Sequence, residues 1–188
     1  MSAKKIKNKK KSVKFDINCI TPENAILVLK ILSNEDKKIG ERIQQIAMQL
    51  ISSVDLEEVA NDVFLKLDSL AVEDLWDQSG STRYGYVEPC DKAYEMMEDV
   101  LKPFLAQLKK LRSLTMMKEA EVHCMGILKG LYLFDQESSA QFSEWAEDVA
   151  RDMFDSLLNK WKKEYKDRTF LNDIKKFIKT DCPEWKSS

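Results

Sequence analysis

Apolar residues recur at the spacing of a helix from Thr21 almost to the end of the chain, and this periodicity restricts the fold more than any other feature. Leu56, Val59, Ala60, Val63, Phe64 and Leu67 form the i, i+3, i+4, i+7 stripe of a half-buried helix. Asp55 and Glu58 form a capping box ahead of it. Ala93, Met96, Met97, Val100, Leu101, Phe104, Leu105 and Leu108 repeat the pattern after Pro89. Ala120, Cys124, Ile127, Leu128, Leu131 and Phe134 repeat it after Thr115. Turn residues are scarce: 5 glycines and 4 prolines in 188 residues leave too few for a sandwich or barrel.

The remaining helices follow from their start signals. Thr21–Pro22 is an N-cap and first-position pair opening a short apolar helix to about Ser33. Asn34 can cap the next, with Ile39, Ile43, Ile46, Ala47 and Leu50 on one face. Ser138 with Gln141 reads as a second capping box. It opens a regular helix through Phe142, Trp145, Ala146, Val149, Ala150, Met153, Phe154, Leu157, Leu158 and Trp161. A last helix covers about Phe170 to Lys179 and stops before Pro183. Pro103 removes a backbone donor inside its long helix and predicts a kink. Gly126 and Gly130 lie one turn apart, which predicts close approach of a neighbouring helix.

About seven helices and no clear strand give an all-α fold. Helix starts near residues 34, 88 and 139 divide the later chain into three pairs of the size of HEAT and armadillo units. Stacked antiparallel hairpins are the expectation, with an irregular helical bundle as the alternative. The domain expectation is a basic tail over 1–14 and one helical domain over 15–188.

Residues 71–88 break the pattern. After a turn of helix at Val72–Trp76 comes QSGSTRYGYV, with freedom at Gly80 and Gly85. Trp76, Asp77, Arg83, Tyr84, Tyr86 and Glu88 combine aromatic surface and charge, the usual anchors of an interface. Two readings are open for this loop. It is a surface for a partner, or it is a structural plug with Trp76 and the tyrosines packed beneath it and Arg83 paired to Asp74 or Asp77.

The stretches LDSLAVEDLWDQSGSTRYGYVEP (Leu67–Pro89) and CMGILKGLY (Cys124–Tyr132) resemble a family of uncharacterised prokaryotic helical proteins of HEAT-like appearance. The resemblance spans roughly residues 55–150. It implies a fold, and assigns no activity to any residue.

Charge is distributed unevenly. Lys4, Lys5, Lys7, Lys9, Lys10, Lys11 and Lys14 give residues 1–14 a charge of +7, residues 159–179 carry +5, and residues 15–158 carry −13. The basic tail is a candidate for polyanion binding through phosphate neutralisation, with no aromatic before Phe15 to stack on bases.

Catalytic and metal motifs are weak. The one histidine, His123, adjoins Cys124, but adjacent helical residues point about 100° apart and make no dyad. Asp68, Glu73, Asp74 and Asp77 lack the frame of a calcium loop or a di-iron bundle. The four cysteines make no C-x-x-C pair and read as free thiols. Neither phosphate-loop motif occurs. No apolar run is long enough to span a bilayer, and no apolar core follows the first lysines as a secretory leader requires.

The expectation is a non-catalytic, cytoplasmic protein-interaction module without cofactor, metal or membrane contact. A nucleic-acid accessory protein using the tail is the alternative. A metal-dependent enzyme using the loop carboxylates comes third.

Overall fold

The fold is that of a computed structural model. It describes residues 16–83, 85–164 and 168–185, with Thr82 and residues 168–170 described by backbone alone. The seven tail lysines lie outside the described residues. Among these there are eight α-helices, three short 3-10 turns and one two-stranded hairpin. The all-α expectation holds. The chain divides into two compact units, one ending at Leu50 and the other beginning at Ile51.

The first unit holds two consecutive helices. Helix α1 (Pro22–Glu35) starts where Thr21 Oγ1 accepts the Asn24 N–H at 3.4 Å. It runs one residue past Asn34, so the next cap is Asp36, whose carboxylate accepts the Lys38 N–H at 2.7 Å. Helix α2 (Lys37–Ser52) follows at once. A Cβ on Gly40 would stand 2.9 Å from Ser33 Oγ, so α1 and α2 approach closely at that point. Neither helix has a buried residue, and of the expected α2 stripe only Ile43 is half-buried.

The second unit is built around one helix. It comprises α3 (Leu56–Asp68), α4 (Val72–Asp77), strands β1 (Gly80–Thr82) and β2 (Gly85–Val87), α5 (Pro89–Ser113), α6 (Met117–Glu137), α7 (Val149–Glu164) and α8 (Arg168–Asp181). Helix α6 touches α3, α5, α7 and α8, and ten of its residues are buried. Its closest neighbour is α3, which is not adjacent to it in sequence. The glycine spacing explains this. A Cβ on Gly126 would lie 2.6 Å from Val59 Cβ, and one on Gly130 would lie 2.5 Å from Val63 Cβ. The carbonyl oxygens of Leu56 and Ala60 stand 3.0 and 2.8 Å from the same points. The α3 backbone thus lies directly on the α6 glycines, at a distance only a missing side chain allows.

Three local expectations are corrected. Residues 71–88 contain a hairpin in place of an irregular loop, paired Gly80 to Val87, Ser81 to Tyr86 and Thr82 to Gly85. The helix expected from Ser138 to Trp161 is two elements, a 3-10 turn at Gln141–Trp145 and then α7. The Ser138 hydroxyl donates to Asp68 Oδ1 at 2.6 Å and accepts the Ala140 N–H at 3.3 Å, so it is engaged away from Gln141. Helix α6 begins at Met117 because Thr115 belongs to the end of α5. Thr115 has φ 59°, and the Thr115 and Met116 N–H groups donate to the carbonyls of Arg112 and Leu111. This is a Schellman stop with threonine in the left-handed position that glycine normally occupies. Helix α5 itself continues through Pro103 without a break.

Candidate interaction surfaces

Helix α4 ends at Trp76 and Asp77, and the hairpin begins three residues later. Gly80 turns the chain into β1 with φ 83°, and Gly85 enters β2 with φ 132°. Directly paired residues share a sheet face, which puts Ser81 and Tyr86 on one side. Trp76 is 52% exposed and Tyr86 66%. Asp77, Arg83 and Glu88 are also exposed. No ion pair joins Arg83 to Asp74 or Asp77. The plug reading therefore fails for Trp76, Arg83 and Tyr86, whereas Tyr84 lies outside the described residues. By contrast Trp161 and Trp185 are buried in the core.

A second surface gave no clear sequence signal. Helices α5 and α7 flank a groove of about 370 Å³. Leu105, Leu108, Leu157 and Trp161 form its apolar wall, and Lys102, Lys109, Arg112 and Lys160 its basic rim. Arg112 is paired to Glu164, and Lys102 to Asp99. Lys102 and Lys109 are seven apart, which puts them on one helix face, but pairing α5 with α7 required the structure.

Among the described residues, no three His, Cys, Asp or Glu side chains are grouped as metal ligands. Glu73, Asp74 and Asp77 are exposed, and Asp68 is held by Ser138. His123 is buried, with Nε2 3.0 Å from the Phe104 carbonyl oxygen. A carbonyl can only accept, so Nε2 carries the proton. Burial lowers the imidazole pKa, and the Phe104 bond pulls weakly the other way. Burial also raises the Cys124 thiol pKa far above its ordinary value and pushes that of Cys182 up to about 12. Both thiols are therefore protonated and unreactive near neutrality. Lys129 links three helices, with Nζ 2.6 Å from Glu57 on α3 and 3.3 Å from Asp181 on α8.

No family model, curated protein or solved structure matches the chain. No helix among the described residues is long and apolar enough to cross a membrane.

Proposed function

We propose that the chain is a non-catalytic helical scaffold that binds a protein partner through the α4–hairpin edge. The observation that carries this reading is the exposure of Trp76 and Tyr86. Large aromatics, Trp76 on α4 and Tyr86 on β2, supply contact area at little entropic cost, and Arg83 between the strands adds an exposed charge. The test compares Trp76→Ala/Tyr86→Ala with the wild type. A partner recovered by the wild type and remade pure should bind the double variant at least tenfold more weakly by calorimetry, a loss of about 1.4 kcal/mol. Equal affinity removes the hairpin from the interface.

The α5–α7 rim favours a second reading, association with nucleic acid. Lys109 and Lys160 would join the tail lysines in neutralising phosphates. Lys109→Glu/Lys160→Glu should then weaken duplex binding at low salt and flatten its salt dependence. Unchanged anisotropy titrations would exclude the groove from that role.

A further inference from the structure

Helices α5 and α7 both pack on α6, and the basic-rimmed groove between them is part of a longer trough. A second hollow of about 190 Å³ shares Leu105, Leu157 and Lys160 with the first. It extends the groove to Tyr94 on α5 and Met153 on α7, with Leu131 of α6 as floor. Residue numbers rise in the same direction along both walls, so α5 and α7 run parallel there. Leu101, Leu105 and Leu108 on α5 are spaced i, i+4, i+7. Met153, Leu157 and Trp161 on α7 are spaced i, i+4, i+8, so each wall is a single helix face. From Tyr94 to Arg112 the trough is about 27 Å long, or about five helical turns.

We propose that this trough seats one amphipathic helix of a partner protein, with an apolar face flanked by acidic residues, as a surface separate from the α4–hairpin edge. Shape points to a helix. The trough is open along its length, so its occupant buries one face and leaves the other in water. Charge selects the acidic flanks. Arg112 and Lys102 are paired to Glu164 and Asp99. Lys109 and Lys160 make no ion pair among the described residues, so two of the four rim cations stay uncompensated. Glu98 lines the end near Tyr94, which concentrates the positive charge at the Arg112 end. Residues 1–14, at +7, are repelled by that rim and do not suit the seat. A nucleic-acid duplex would use the rim alone and leave the leucine floor uncovered.

Fluorescence anisotropy of the full chain with a synthetic helix of about 18 residues, the length of the trough, tests this proposal. The probe carries leucine at i, i+3, i+4 and i+7, glutamate on both flanks and alanine elsewhere. A scrambled peptide of the same composition keeps the charge but loses the apolar face, which controls for attraction to the lysines of residues 1–14. The wild type should bind the probe at least tenfold more tightly than the scrambled peptide, and than a version with lysine in place of glutamate. Lys109→Glu/Lys160→Glu should reverse the preference between the glutamate and lysine probes. Trp76→Ala/Tyr86→Ala should leave it unchanged. All four substituted positions are exposed, so both variants should match the wild type in circular dichroism. A second measurement needs no variant: a nitroxide at the centre of the probe should broaden the methyl resonances of the groove leucines first. Absent binding, equal binding of the scrambled peptide, a preference unmoved by the charge reversal or altered in Trp76→Ala/Tyr86→Ala, or broadening elsewhere overturns the proposal. A DNA duplex that binds more tightly than the probe and displaces it assigns the groove to nucleic acid and overturns it equally.

Discussion

Thr115 is a β-branched residue held at φ 59°, a conformation in which its Cβ crowds the neighbouring backbone. Glycine relieves that crowding and retains both Schellman hydrogen bonds, at some cost in unfolded-chain entropy. Thr115→Gly should therefore stabilise the protein by a net ~0.5–1 kcal/mol, read as a Tm higher by a few degrees. His123 sets a pH dependence of known sign. Its folded pKa lies below its unfolded value, so the unfolded chain binds the extra proton. The stability it contributes is complete above the ordinary histidine pKa and falls as pH drops below it toward the folded value. As the one histidine, it is the only side chain with an unperturbed pKa in this range. The slope of Tm against pH between about 7 and 5 should flatten in His123→Asn. An unchanged slope would mean that burial does not control this imidazole.

At the scale of elements, Gly126 and Gly130 set how closely α3 and α6 approach. Alanine normally strengthens a helix by about 1 kcal/mol over glycine. Here the new methyl would meet Val59 or Val63 and a main-chain carbonyl of α3 that cannot move alone. Overpacking costs typically 1–3 kcal/mol, so Gly126→Ala or Gly130→Ala should lower stability in urea unfolding, by about 1–2 kcal/mol each. This contact was legible in the sequence, because two glycines one turn apart in a helix need a reason. Their partner was not, since it lies some 70 residues away, across the hairpin and α5. The break at Ala146 was hidden for a different reason. A 3-10 turn retains the i, i+3 spacing, so Phe142, Trp145 and Val149 keep an apparent helical rhythm across it. The strands escaped notice because three residues are too few to show a period of two. Trp76 and Tyr86 were named from composition, but only coordinates could distinguish a surface from a plug.

On the scale of the whole molecule, the core of the second unit is closed from its C-terminal end. After Pro183 the chain makes one 3-10 turn and buries Trp185. Its ring meets Tyr132 of α6 edge-on at 5.4 Å and Phe154 of α7 at 4.9 Å, with the Arg151 guanidinium over it at 5.4 Å. Trp185→Ala removes all three contacts and leaves a cavity, at a cost of about 3–5 kcal/mol in chemical denaturation. Trp185→Phe should cost clearly less.

The late position of Trp185 also affects how the chain is made. Tyr132 leaves the ribosome well before the tryptophan that covers it, and at ~5–20 residues per second the delay is roughly three to ten seconds. During that interval Tyr132 and Phe154 lack the ring that covers them, so the oily face of the second unit stays open until the last residues of the core are made.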